Sequence, residues 1–141
     1  MTINEIQDEI IDEFEMLGGD RESMIVYIME LGQKLPALPE EDYVEQNLIK
    51  GCQSKVWLAA KLDGDKVIYK TDSNTDVTKG LISLLVRILS NQHPKDIIDA
   101  DLYFIDKIGM SGVIGSQRSN GFVNMIKQIK IYALAFQSQL S

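Results

Sequence analysis

Hydrophobic positions along the chain follow two different periods. Near the start, Ile3, Ile6, Ile10, Phe14 and Leu17 recur at spacings of three and four, which lines them along one face of a helix. Thr2 and Glu5 fit a capping box at its beginning, and Gly18-Gly19 supplies a stop. Asp20 can cap a second helix whose stripe is Met24, Tyr27, Ile28 and Leu31 and which ends near Gly32. Leu35-Pro36-Ala37-Leu38-Pro39 cannot extend it, because proline lacks the amide proton and crowds the preceding turn. Glu40-Glu41-Asp42 then opens an acidic linker.

The middle of the chain switches to alternation. Val56, Leu58, Ala60 and Leu62 alternate with Trp57, Ala59 and Lys61, as a strand requires. Asp63-Gly64-Asp65-Lys66 predicts a tight hairpin, with Val67 to Lys70 as the return strand. A shorter extended piece is expected at Asn47-Leu48-Ile49-Lys50. Helical spacing returns with Leu81, Leu84, Leu85, Ile88 and Leu89, stopped by Asn91-Gln92-His93-Pro94. Pro94 suits the first turn of a short helix reaching Asp99. The stretch Leu102 to Ile108 is ambiguous. Gly109 to Gly115 is expected to be a flexible loop, and Ser116 to Gly121 a polar loop with Ser119 or Asn120 as N-cap. A long last helix then buries Phe122, Met125, Ile126, Ile129, Tyr132, Ala133 and Phe136. Helices, a hairpin, then helices again predict one α+β domain over residues 1–141, with a small antiparallel sheet packed against helices.

Composition narrows the function classes. The 141 residues are 45% hydrophobic and 25% charged, ordinary values for a globular chain with one core. A net charge of −7 argues against nucleic acid, whose phosphates need clustered Lys and Arg. No stretch approaches the ~20 apolar residues of a membrane span, and the first residues lack the basic and apolar regions of a secretory signal. Together with an unpaired thiol, this predicts a reducing cytoplasm.

The single cysteine, Cys52, lies in Gly51-Cys52-Gln53-Ser54-Lys55-Val56-Trp57, on the expected loop between two extended pieces. One Cys and one His cannot build a Cys/His zinc site. Packing and thiol chemistry both remain open from the residues alone, because free cysteine often serves as a small hydrophobe. Its reactivity would depend on the thiolate, and an unperturbed thiol titrates near 8.5. Lys50, Lys55 and Arg118 are the cations that can favour ionisation. Asp72 to Thr78 starts like a calcium loop but places Val77 where Gly is needed and Ser83 where Glu is needed, so a helix N-cap region is the better assignment. His93, just before Pro94, suits a structural role better than that of a base for Cys52.

Four segments in order resemble the SufE/CsdE family of sulfur-acceptor proteins. Tyr27 to Pro36 carries Leu31-Gly32-Gln33-Lys34-Leu35-Pro36, similar to a family segment, and Asn47 to Trp57 resembles the signature around the acceptor cysteine. Lys79-Gly80-Leu81-Ile82 and Ser116-x-Arg118-x-x-Gly121 are similar to two further landmarks. The resemblance implies an IscU/SufE-like fold and a role for Cys52 as covalent acceptor of persulfide sulfur. It implies a SufS-like or CsdA-like cysteine desulfurase as donor and the SUF iron–sulfur scaffold as later acceptor. Pyridoxal phosphate would belong to the desulfurase, so no cofactor is expected on this chain, which is read as an accessory protein and not an enzyme. Gly51, Gln53 and Ser54 would shape the loop, and Arg118 would contact the loop or partner. Some family members carry an acidic residue where this chain has Asn74, so a charge-based role there is open, with Asp72 or Asp76 as substitutes. A CsdE-like carrier serving another acceptor, a stand-alone Cys-dependent enzyme and a binding domain with a packed cysteine are the alternatives. The enzyme would need a base within reach of Cys52.

Overall fold

The computed structural model describes residues 1–51 and 54–140, except for the side chains of Ser111 and of residues 113–120. It contains α1 (Ile3–Glu15), α2 (Arg21–Gln33), strands β1 (Val56–Asp63) and β2 (Lys66–Ser73), then α3 (Asp76–Leu89), α4 (Pro94–Asp99), α5 (Phe104–Lys107) and α6 (Ser111–Leu140). Single 3-10 turns at Glu40–Asp42 and Glu45–Asn47 lie between α2 and β1. The expected α+β architecture with a small antiparallel sheet is present.

Local signals set most of these boundaries. Thr2 accepts from the Glu5 amide, and Glu5 accepts in turn from the Thr2 amide, so the capping box that starts α1 is complete. Asp20 caps α2 through the Ser23 amide. His93 caps α4, its Nδ1 accepting from the Lys95 amide at 3.2 Å, which gives the only imidazole a structural task. The hairpin pairs Val56 with Ser73 at one end and Asp63 with Lys66 at the other. Gly64 takes φ 63° in its two-residue turn, where a side chain would meet the left-handed penalty.

Helix α3 is the centre of the molecule. Leu81, Ile82, Leu84, Leu85, Ile88 and Leu89 are all buried, too many for a single stripe, and α3 accordingly touches α1, α2, α6 and β2. Against α2 the approach is unusually close. A Cβ on Gly80 would overlap the Ile28 carbonyl oxygen and come within 2.6 Å of Ile28 Cγ2, while one on Gly32 would overlap the Asp76 carbonyl oxygen. Two turns further along nearly the same face of α3, Arg87 joins Glu13 at 2.6 Å and Glu9 at 2.8 Å, tying it to α1. The Arg87 guanidinium holds the Glu13 carboxyl below the usual carboxylate range, and burial together with the Glu13 hydrogen bond pushes the neighbouring Tyr27 phenol up to about 12.

Three expectations need correction. Residues 109–121 do not form loops ahead of the last helix: α6 already starts at Ser111, and Arg118, Ser119 and Asn120 lie within it. The break is the short turn at residues 108–110, with Gly109 at φ 70°. Gly112, Gly115 and Gly121 each cost only ~1 kcal/mol against Ala in a helix, less than is returned by a continuous ladder whose later turns bury Phe122, Met125, Ile129 and Ala133. The extended piece at Asn47–Lys50 is shorter than expected, since Asn47 closes a 3-10 turn and only Leu48 and Ile49 pair with β1. Strand β2 runs on to Ser73, so the helix cap region begins at Thr75.

Gly80→Ala should lower stability by ~3 kcal/mol, because the added methyl must displace backbone and not a flexible side-chain end; a urea midpoint shifted down with unchanged m checks this. Gly112 has open space around its missing Cβ. Gly112→Ala should therefore stabilise by ~0.5–1 kcal/mol if α6 starts where it is seen to start, read out as a rise in melting temperature.

Candidate functional site

Cys52 and Gln53 lie outside the described residues, and so does the side chain of Arg118; the site is therefore built from what flanks them. The segment that carries the cysteine leaves the sheet after Ile49, whose amide donates to the Val56 carbonyl at 2.8 Å, and re-enters it at Val56. Val56 is buried in the core, so the re-entry point is fixed.

Helix α6 holds one end of this segment, and the connection from β2 into α3 holds the other. On the leading side, Asn124 of α6 donates through Nδ2 to the Lys50 carbonyl at 3.1 Å. Gly51 follows at φ 84°, and a Cβ there would overlap Asn124 Nδ2. The backbone sign favours glycine here, and any added Cβ would also push the Asn124 amide off the Lys50 carbonyl. On the trailing side, Asn74 accepts from the Lys55 amide through Oδ1 at 3.0 Å and donates its own amide to the Lys55 carbonyl at 3.3 Å. The Ser54 hydroxyl stands 3.2 Å from that of Thr75, Thr75 donates to Thr78 at 2.8 Å, and Thr78 reaches Ser54 at 3.4 Å. This cluster of three hydroxyls sits at the N-terminal end of α3, where Thr75 is the N-cap residue but its side chain does not cap.

The acidic groups considered as substitutes for Asn74 differ in position. Asp72 is buried and committed elsewhere: it accepts from Tyr43 at 2.5 Å and from the Ser73 amide at 2.8 Å, with the Lys79 ammonium at 3.7 Å. The hydrogen bond to Asp72 holds the Tyr43 phenol above the usual tyrosine range. Tyr43 also accepts from the Leu38 amide at 3.0 Å and meets Trp57 edge-on, with ring centroids 5.1 Å apart. Asp72 thus fastens the proline-rich connection to the hairpin and leaves Asn74 to face the cysteine segment. Asp76 opens α3 and is exposed.

Of the residues singled out from the sequence, Gly51, Ser54 and Asn74 lie together at the two ends of this segment. Thr75, Thr78 and Asn124 join them, and sequence reasoning misses all three. Thr75 and Thr78 read as ordinary N-cap residues, and Asn124 as one polar position flanking a hydrophobic stripe. Nothing in the local sequence links Asn124 to a carbonyl 74 residues earlier. Among the described residues no group of three or more His, Cys, Asp and Glu is placed to hold a metal ion, and no helix is long and apolar enough to cross a membrane.

Comparison with known proteins matches residues 8–133 to the Fe-S metabolism associated domain, SufE. An uncharacterised SufE-like protein of Rhizobium meliloti is 34% identical over 128 residues, spanning 87% of this chain and 91% of its own. One from Rhizobium etli is 36% identical, spanning 87% and 86%, and one from Synechocystis is 32% identical, spanning 92% and 80%. The solution structure of a hypothetical protein from Thermus thermophilus superposes with a TM-score of 0.77 over 94% of this chain and 96% of that one, at 18% identity, and so shares the fold. With a family match over most of its length and relatives above 30% identity, the chain belongs to the SufE family of Fe-S metabolism proteins.

Proposed function

We propose that this protein is a cytoplasmic sulfur carrier, with Cys52 as the acceptor, serving a pyridoxal-phosphate-dependent cysteine desulfurase and handing sulfur on to the SUF scaffold. Membership of the SufE family gives the Fe-S metabolism setting. The observation that carries the finer reading is the pair of side-chain anchors on either side of Cys52, Asn124 before it and Asn74 with the three hydroxyls after it. These anchors leave a short segment between fixed ends, as a group that must meet another protein's active site requires.

The chemistry is a thiol exchange on a persulfide. The Cys52 thiolate attacks the outer sulfur of the donor's persulfide, a new S–S bond forms on Cys52, and the donor cysteine leaves as a thiolate. The transferred sulfur keeps its own proton, the proton that Cys52 gave up on ionising is taken by the leaving thiolate, and no oxidant or reductant is consumed. Helix α3 presents its positive N-terminal end to Ser54, and a thiolate brought to that end would be favoured. Arg118 adds a cation on α6 and is assigned to the loop or the partner. Polar anchors worth ~1 kcal/mol each are weak enough for partner contacts to displace, so an arrangement with the anchors released, a few kcal/mol higher, is within reach of binding.

Cys52→Ser should fold as the wild type does and take up no sulfur. Incubation with desulfurase and cysteine, followed by intact mass measurement, should add sulfur to the wild type alone, and equal stimulation of the desulfurase by both proteins would defeat the carrier reading. Asn74→Ala removes the acceptor for the Lys55 amide, so that amide should exchange ~10-fold faster, the equivalent of about 1.4 kcal/mol. The hairpin amides from Leu58 to Tyr69 should keep their protection. Unchanged exchange at Lys55 would show that Asn74 does not anchor the segment.

A further inference from the structure

Beside the leading anchor, a groove of about 350 Å³ runs between residues 46–50 and α6. One wall is Gln46, Asn47, Leu48, Ile49 and Lys50; the other is Asn124, Lys127, Gln128 and Tyr132. Its composition is unlike that of the whole chain. The protein has 21 Asp and Glu against 14 Lys and Arg, yet this groove is lined by two lysines and no acidic residue. A larger cleft beside the N-terminus contains Glu5, Asp96, Asp99 and Asp101, and one on the hairpin contains Glu41 and Asp42. Lys50 and Lys127 are not buried, and neither is paired with a carboxylate among the described residues. Four carboxamides, Gln46, Asn47, Asn124 and Gln128, complete the polar lining.

We propose that this groove receives a short, extended, acidic segment of the desulfurase that donates the sulfur; the inference rests on the carrier reading and adds the contact that positions the donor. The two ammonium groups supply charge complementarity for carboxylates, and the carboxamides supply donors and acceptors for a peptide backbone. The volume is at the lower end of small-ligand clefts, which suits a strand-like stretch and no folded element. Asn124 belongs to both features: it lines the groove and holds the Lys50 carbonyl at the root of the cysteine segment. A segment that engages the Asn124 amide therefore competes with the anchor, so that occupying the groove loosens the leading end when the donor is in place.

The test uses the full-length protein in a Cys52→Ser background, where equilibrium binding to the desulfurase is read without sulfur transfer. Adding Lys127→Glu should weaken binding about fivefold or more, by replacing attraction with like-charge repulsion. Lys127→Arg should bind as the parent does, and the deficit of the Lys127→Glu variant should shrink as ionic strength rises from about 0.05 to about 0.3 M. In the Cys52 protein, Lys127→Glu should raise the concentration that half-saturates desulfurase stimulation and leave the plateau rate unchanged. Equal binding by the parent and the Lys127→Glu variant, or no binding by either, overturns the groove assignment. So does displacement of the desulfurase by free glutathione with the same dependence on Lys127, which would give the groove to a small carboxylate thiol. Binding that depends on Lys127 while the wild type acquires no sulfur would instead sink the carrier reading and leave the docking site standing.

Discussion

The close crossing of α2 and α3 through Gly32 and Gly80 is the constraint on which the rest of the arrangement depends. With no side chain at either glycine, backbone meets backbone, and the α3 axis is set by steric contact that cannot relax by rotating a rotamer. Everything placed by the front of α3 inherits that position. Thr75, Thr78 and the preceding Asn74 reach Ser54 and Lys55 because α3 begins where the glycine contact and the Arg87 pairing with α1 put it. Two of the sequence landmarks, Leu31-Gly32 and Lys79-Gly80, thus lie against each other, and their common task is to locate a site to whose side-chain hydrogen bonds neither contributes.

The structure divides its polar interactions by strength of commitment. The Tyr43–Asp72–Lys79 group is built on a buried carboxylate, and removing Tyr43 or Lys79 would leave that carboxylate short of a partner. The groups that hold the cysteine segment are exposed or half-exposed carboxamides and hydroxyls, each replaceable by water at small cost. The same fold therefore fixes its proline-rich connection more firmly than it holds the residues that flank Cys52. That contrast follows from burial and needs no special sequence in the segment itself.

Much of this is legible in the sequence, and the reasons are local. The capping box of α1, the Asp20 cap, the alternation of Val56 to Leu62 and the Asp-Gly turn are all contained within a few residues, where pattern and structure coincide. The start of α6 is not legible in the same way, because three glycines look like breaks, while burial of the later turns and the continuing ladder outweigh their modest penalties. At the candidate site, Gly51, Ser54 and Asn74 are accessible through a family resemblance. Asn124 is not, because its partner is a backbone carbonyl distant in the chain, and a carbonyl has no signature in a sequence. The groove is invisible for a related reason: each wall lacks acidic residues in its own stretch of chain, but only their apposition makes one basic groove of them.

Gly51 has a consequence for how this protein can change over generations. A substitution there meets two separate barriers, a backbone angle that L-residues rarely adopt and a collision with the Asn124 amide. Shortening Asn124 would remove the collision but not the angle, and would also release the Lys50 carbonyl. A backbone rearrangement would ease the angle only by moving the segment away from its anchor. Asn and Asp, which tolerate such an angle best, would still turn the Asn124 amide away from the Lys50 carbonyl. Drift at Gly51 is therefore tied to a weaker anchor, and no single change at Asn124 restores both the angle and the hydrogen bond.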